Sequence, residues 1–417
     1  MSSNAKKQIP FSPPDITQAE IDQVVEALKS GWITTGPKTK QFENELSAYM
    51  GTPKTAALSS ATAAEECALH VLGIGPGDEV IVPAYTYTAT ASAVCHVGAT
   101  PVMVDCAPGS FEMDYQKVAE AVTPKTKAVV PVDLGGKMID YDTLFAALDS
   151  VSAAWSPAND IQTAYKRVPV VSDCAHSMGA VRHGKHAGSV ADFSSFSFHA
   201  VKNLTTAEGG ALTWRQGTQD DEAIYKQIML LSLHGQNKDA LAKTKAGAWE
   251  YDIVFPGWKC NMTDMAAGVG RAQLKRYPDL LARRRAIFER YCSNLAAVDS
   301  MPLDILQHFG NDEQGGWASS AHLMIVRLEG KSVEFRNTLI TRMGEAGVAT
   351  NVHYKPLPMM TAYKNMGFDI NNFPNAFAQY QNEVTLPLHT LLSDEDVDYV
   401  SETFASVYHA LETEGIR

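Results

Sequence analysis

The sequence contains no run of eighteen apolar residues, and its first ten positions carry Lys6 and Lys7 but no apolar core. A helical membrane span needs about 20 apolar residues, and a secretory leader needs an apolar core behind its positive charge. No membrane association is therefore expected, and the protein is expected to be cytoplasmic. Basic residues are outnumbered: 35 Lys and Arg stand against 47 Asp and Glu, a net charge of −12. Without an overall positive field to hold a phosphate backbone, nucleic acid is not the expected partner, and a small ligand is. Cysteine is scarce as well. The six thiols, Cys67, Cys95, Cys106, Cys174, Cys260 and Cys292, are scattered without Cys-x-x-Cys spacing. That speaks against a disulfide frame or a zinc ribbon and for reduced thiols used as small core residues. There is no internal repeat and no low-complexity tract.

What is present is an ordinary globular composition, 45% apolar and 20% charged, in a chain of 417 residues. That is too long for one compact domain, and two are expected, over residues 1–264 and 265–417. Ile21, Val24, Val25 and Leu28 lie at helical spacing over 18–28. A Gly31-Trp32-Ile33-Thr34-Thr35-Gly36-Pro37 loop follows, then a second helix over 39–50 closed by Gly51. Short apolar runs at 55–58, 79–83, 100–105, 127–133 and 168–173 then alternate with stretches long enough for helices. Runs such as Val168-Pro169-Val170-Val171 are apolar on both faces, as buried parallel strands are. The expected fold class is α/β, with a mostly parallel central sheet covered by helices. Beyond Asp264 a long helical region is restarted by Pro278, and strands at 322–328 and 348–353 flank a helix at 333–343. A last helix has Val397, Val400, Phe404, Val407 and Leu411 on one stripe behind a Ser393/Asp396 capping box, completing a smaller α+β domain. The polar segments 150–166 and 235–248 are long for loops and are expected to be lids or extra helices. Gly73-Ile74-Gly75-Pro76-Gly77 lacks the spacing of a dinucleotide fingerprint and reads as a plain turn.

Chemistry-bearing residues follow one another along the chain. Lys202, in Ser197-Phe198-His199-Ala200-Val201-Lys202-Asn203, lies where a loop leaves an alternating strand at 193–198, ahead of Glu208-Gly209-Gly210 and a further strand. Asp173 ends an apolar run, which puts a carboxylate at the C-terminal edge of a buried strand, where open α/β sheets bind ligands. A buried carboxylate needs a cationic partner. His176 follows one short turn on. Ser59-Ser60-Ala61-Thr62-Ala63-Ala64 joins a strand to a helix, so that hydroxyls and first-turn amides converge on a spot suited to phosphate, with Ser197 as a further donor. Tyr87 follows a buried strand, with a ring that can lie on a flat ligand. Pyridoxal phosphate asks for this set: a lysine amine for its aldehyde, an anion for its ring nitrogen, a phosphate cradle and a surface against its ring. A rival reading takes Asp173, His176, His183, His186 and His199 as metal ligands, but their intervals match no zinc spacing, and no metal is expected.

Taken together and in order, 59–64, 86–88, 173–176, 197–203 with Glu208-Gly209-Gly210, and 256–270 resemble the motifs of the DegT/DnrJ/EryC1/StrS family of sugar aminotransferases. The likeness runs from about Pro10 to the last helix. Segments 31–37, 197–203 and 257–264 are most similar to the UDP-4-amino-4-deoxy-L-arabinose aminotransferases and related UDP-4-keto-hexose enzymes. The resemblance implies a type I pyridoxal-phosphate-dependent aminotransferase fold and a homodimer with shared active sites. It also implies amino transfer from L-glutamate to a 4-keto sugar nucleotide, for cell-surface polysaccharide, lipopolysaccharide or glycan synthesis. Residue by residue, it puts Lys202 on the cofactor's aldehyde carbon, Asp173 on the pyridine nitrogen and His176 near the phenolic oxygen. Thr62, Ala63 and Ser197 then fall on the phosphate and Tyr87 on the ring. In Gly257-Trp258-Lys259-Cys260-Asn261, Asn261 stands where the family's asparagine reaches the neighbouring subunit's phosphate. Thr34, Arg182, His353, Tyr354 and Lys355 are the expected contacts of the sugar nucleotide. Three departures stand out: the length of 150–166, Cys260 where an aromatic is usual, and His176 where many relatives have glutamine. Family members that dehydrate sugars carry histidine in place of the lysine, so Lys202 counts against a pyridoxal-phosphate-dependent sugar dehydratase. A zinc hydrolase and a non-catalytic cofactor-binding regulator are weaker competitors for the same residues.

Overall fold

A computed structural model describes residues 7–217, 220–237 and 250–416. Its centre is a sheet of seven strands: Thr55–Leu58, Glu79–Pro83, Thr100–Val104, Thr126–Val129, Val171–Asp173, Phe193–Ser197 and Gly210–Trp214. Across the sheet the first residues of the strands run 100, 79, 126, 171, 193, 210 and 55, with the bridges Val129–Val170 and Val132–Asp173 joining its two halves. Pairing is parallel from Thr100–Val104 through to Phe193–Ser197 and antiparallel on both sides of Gly210–Trp214. One strand of seven opposes the rest, so the mostly parallel sheet expected from the two-sided apolar runs is found.

The period of two along each strand explains why both faces must be covered. Ala56, Leu58, Val80, Val82 and Val171 feed one apolar core, and Ala57, Ile81, Val129 and Phe196 feed another. Helices Ala61–Val71, Thr88–His96 and Asp221–Ser232 close the first through Cys67, Val94 and Ile228. Pro37–Met50, Tyr141–Ser150 and the first half of Asp264–Ala296 close the second through Phe42, Leu144 and Tyr277. A third core, with Ile287, Tyr291, Leu339, Val384 and Phe404, lies between the second half of that long helix, helices Val333–Glu345 and Asp394–Thr413, and an antiparallel sheet of Leu303–Ile305, Met324–Leu328 and Glu383–Leu386. The Ser393/Asp396 capping box of the last helix is present. No helix among the described residues is long and apolar enough to cross a membrane.

Several local expectations are corrected. Pro278 does not restart a helix: Asp264–Ala296 runs through it unbroken, held on either side by the buried rings and side chains of Tyr277 and Leu280. Residues 348–353 make no strand, only single bridges from Val348 to Ile9 and from Asn351 to Thr385, and the Glu383 carboxylate takes the His353 N–H that a ladder would have used (2.9 Å). Of the two readings of segment 150–166, extra helices are found: a 3-10 turn at Ser152–Ala154 and a short α-helix at Asp160–Thr163, with Trp155 and Tyr165 buried and Gln162 donating to the Leu72 carbonyl (2.8 Å). Most of 235–248 lies outside the described residues. The first helix, Gln18–Ser30, has its capping box and its left-handed Gly31, yet Ile21, Val25 and Leu28 point outward, 48%, 40% and 55% exposed.

Candidate active site

The site assembles where the parallel strands end. Asp173 is the last residue of Val171–Asp173 and is buried. Its Oδ1 accepts from the Ala175 N–H (3.0 Å) and its Oδ2 from the Thr90 hydroxyl (2.9 Å). Burial raises its pKa, while these hydrogen bonds and the Lys202 charge draw it back. Lys202 stands in the turn after Phe193–Ser197, fixed by its N–H to the His199 carbonyl (2.9 Å). Its ammonium makes no hydrogen bond or ion pair among the described residues, and burial lowers its pKa to about 8 against the opposing pull of Asp173. The two groups sense each other but do not touch.

Around them lies a set of imidazoles kept neutral by burial. His176 accepts the Gly135 N–H at Nδ1 (3.2 Å), which leaves its proton on Nε2, 3.1 Å from the Tyr354 hydroxyl. Burial and then the Lys202 charge hold its pKa well below the usual imidazole range. His322 packs its ring 4.3 Å from that of His176 and binds the Asn203 Oδ1 at Nδ1 (2.8 Å). His353, its pKa pushed down to about 3 by burial and Lys202, bonds Thr385 (2.9 Å). The exposed ring of Tyr87 lies 5.8 Å from that of Tyr354 and caps the group.

The segment expected to hold a phosphate begins the helix Ala61–Val71. Ser60 caps the helix Ala61–Val71, its Oγ accepting from the Ala63 N–H (3.0 Å), with Thr62 half-buried in the first turn. Gly210 lies between the strands that carry Leu58 and Ser197, and so brings Ser197 beside that helix start. A Cβ at Gly210 would meet the Ser60 backbone at 2.3 Å, so only glycine allows this approach. The donor set suits pyridoxal phosphate: an unpartnered buried amine, a buried carboxylate without a cationic side chain against it, a neutral N–H donor and a helix start.

Other expected residues lie apart in the single chain. Asn261 bridges to Leu58, and its side chain is held by Thr35 and Lys259. Thr34 is exposed and offers its carbonyl to the Asp264 N–H (2.9 Å), and Lys355 is exposed. Arg182 pairs with Asp140 (3.3 Å) and Asp312 (3.0 Å) beside the hairpin Phe309–Asp312/Gly315–Ala318. The rival metal set is dispersed: His183 pairs with Asp312, His186 packs on Tyr49, and His199 sits near Glu208. Sequence reasoning missed Thr90, Asn203, His322 and Glu65. Asn203 lies inside the segment 197–203 and His322 at the head of the strand read at 322–328.

Known proteins share this geometry. A model of the DegT/DnrJ/EryC1/StrS aminotransferase family matches residues 14–405. SpsC of Bacillus subtilis strain 168, a spore coat polysaccharide biosynthesis protein, is 38% identical over 403 residues, 96% of this chain and 97% of its own. Spr1654 of Streptococcus pneumoniae, assigned as a sugar aminotransferase, is 56% identical in its PMP form with a TM-score of 0.92, covering 97% of this chain and 100% of its own. Its PLP form gives 54% and 0.91 over the same shares. The aminotransferase TlmJ of Streptoalloteichus hindustanus is 29% identical with a TM-score of 0.83, again over 97% and 100%.

Proposed function

The chain belongs to the DegT/DnrJ/EryC1/StrS aminotransferase family and is a pyridoxal-phosphate-dependent sugar aminotransferase; from this we propose that it moves the amino group of L-glutamate to a nucleotide-linked 4-keto sugar. The nucleotide favoured by resemblance is UDP. The observation that carries the reading is the lone Lys202 amine, with a pKa near 8, facing but not touching the buried Asp173. Bound pyridoxal phosphate supplies the electron sink that lets an amino group leave one partner and join another. Asp173 would hold a proton on its ring nitrogen, the His176 Nε2–H would donate to its phenolic oxygen, and the Tyr87 ring would lie against it. Thr62, the helix start at Ala63 and Ser197 would hold its phosphate. Lys202, uncharged in a good fraction of molecules near pH 8, would hold its aldehyde, and its Nζ would be the group that takes the proton from the glutamate Cα and returns one to C4 of the sugar.

A homodimer accounts for two features of the single chain. Asn261 lines a cavity of about 440 Å³ together with Val24, Ser59, Glu208 and Met262, and the helix that supplies Val24 also exposes Ile21, Val25 and Leu28. A partner covering this face would receive Asn261 at its own phosphate and bury the apolar stripe. His353 and Tyr354 stand next to the reacting groups and are our first choice for the sugar, with Thr34, Arg182 and Lys355 further out. A division into cofactor-binding and smaller domains is supported by the separate core around Tyr291 and Phe404, with the long helix Asp264–Ala296 shared between the two, its first half on the sheet and its second half in the smaller core. The name of SpsC supports a place in polysaccharide synthesis, and sugar nucleotides as substrates suit a cytoplasmic enzyme.

Purified protein given L-glutamate and, in turn, UDP-, dTDP- and GDP-4-keto sugars is expected to yield an amino sugar nucleotide and 2-oxoglutarate by mass spectrometry. Lys202→Arg keeps the charge but cannot bond the aldehyde, so borohydride should fix no label and turnover should fall by on the order of 10²–10⁴. Asp173→Asn should keep cofactor and lose most turnover. Wild-type rates in the Lys202 variant would refute the assignment.

A further inference from the structure

Glu65 is a carboxylic acid in a helix that otherwise buries small and apolar side chains, and it is 1% exposed. Its Oε1 accepts from the Ser195 hydroxyl (3.0 Å), while its buried Oε2 finds no donor among the described residues. Ser195 is the register partner of Asp173 on the neighbouring parallel strand, so this hydrogen bond brings the Glu65 carboxyl beside that of Asp173. The charges facing Glu65 are those of Asp173 and Glu66, both acidic. Two buried carboxyls side by side do not both ionise readily, and one of them is expected to keep its proton. Asp173 has two donors and the Lys202 charge in its favour; Glu65 has one hydroxyl. The proton therefore belongs to Glu65, and Oε2 becomes a donor whose acceptor is Asp173.

We propose that Glu65 is neutral in the working enzyme and that its Oε2–H donates to Asp173, making it a positioning residue that keeps the Asp173 carboxylate ionised and aimed at the cofactor's ring nitrogen. The inference rests on the role given to Asp173 above and extends it one residue outward. Burial, reinforced by the Asp173 charge, pushes the Glu65 pKa well above the ordinary carboxylate range, in the same sense.

The direct test is infrared difference spectroscopy of wild type against Glu65→Gln near neutral pH. The difference should contain the deuterium-sensitive C=O band of a protonated buried acid; its absence overturns the proposal, whatever Asp173 does. The second test measures pyridoxal phosphate affinity of the apo protein. Glu65→Gln keeps a neutral donor and should bind within about twofold of wild type. Glu65→Leu matches the size without the donor and should bind about tenfold more weakly, the scale of one hydrogen bond to a charged group. It should also shift the pH profile of the bound cofactor's absorbance. A leucine variant that binds like wild type, or a glutamine variant as weak as leucine, overturns the role. Asp173→Asn tests the underlying assignment separately: if that variant keeps full turnover while the infrared band is present, the reading of Asp173 fails and the protonation of Glu65 stands.

Discussion

Replacing Asp264 by alanine should loosen a helix whose sequence neighbour lies more than two hundred residues away. Helix Pro37–Met50 begins with Gly36 as its N-cap, which has no side chain to offer, and with Pro37, which has no N–H. The missing acceptor is supplied by Asp264, 1% exposed. Its Oδ1 takes the N–H groups of Gly36 (2.7 Å) and Thr39 (2.9 Å) and the Thr39 hydroxyl (2.7 Å), and its Oδ2 takes the Lys38 N–H (3.0 Å). Hydrogen bonds to a charged group are worth about 1.5–3 kcal/mol each. Water entering the vacated space recovers part of that and the four are not additive, so the expected loss is about 3–5 kcal/mol. Asp264→Asn keeps one carbonyl acceptor and should lose about half as much. The assay is urea unfolding at unchanged slope, with hydrogen exchange of the Gly36, Lys38 and Thr39 amides as the local readout. Thr35 donates to the Met262 carbonyl (2.6 Å) and accepts from Asn261, so cofactor retention should fall with the same variant. An alanine variant within about 0.5 kcal/mol of wild type, with those three amides still protected, would refute the distant cap.

Capture of pyridoxal phosphate by the apo protein, followed by absorbance, should rise with pH as Lys202 loses its proton and level off above about 8, because burial lowers that pKa; a rate still climbing into the ordinary lysine range counts against it. The Asp192 carboxylate, fully buried, takes both Arg167 guanidinium N–H groups (2.7 and 3.1 Å) and the Val170 N–H (2.7 Å) just ahead of the strand that ends in Asp173. Asp192→Ala should cost about 3–5 kcal/mol in urea unfolding by stranding a buried cation, and a loss under about 1 kcal/mol would show that water reaches Arg167.

Much of the fold was legible because the relevant signals are local. Two-sided apolar runs gave the parallel strands, and Gly51 gave a helix end that is left-handed as expected; Gly31, read as the start of a loop, is left-handed too. Lys202, Asp173 and His176 could be found because each stands at a strand end, a place that sequence pattern does locate. Glu65 could not. Beside Glu66 it reads as one half of a solvated pair, and only the packing of its helix on Phe193–Ser197 decides that one of the two is buried. His322 was read as the start of a strand, although the strand begins at Met324 and His322 instead turns toward Asn203 and His176. Residues 348–353 look extended and are so, yet the partner that ends their pairing is a side chain thirty positions on. The outward stripe of the first helix marks the same limit: periodicity shows that Ile21, Val25 and Leu28 share a face, but not whether the same chain or a second one covers it.

In the role proposed for it, near the cofactor's phenolic oxygen, His176 would replace the glutamine that the family resemblance leads one to expect, a side chain that always has an N–H to give and never a charge. An imidazole matches it only if it is neutral and if its one proton is on the nitrogen that would face the ligand. The ring is neutral, and its proton is on Nε2, which meets the Tyr354 hydroxyl (3.1 Å). Burial and the nearby Lys202 keep the ring from protonating, and the Gly135 N–H occupies Nδ1, so the proton can only be on Nε2. Gly135 can do this because it adopts a left-handed conformation (φ +66°) in the short turn Leu134–Gly136, which follows the bridge from Val132 to Asp173. The residue that fixes the tautomer is thus held by the strand end that carries the carboxylate, and donor and anion are set in place by one piece of backbone.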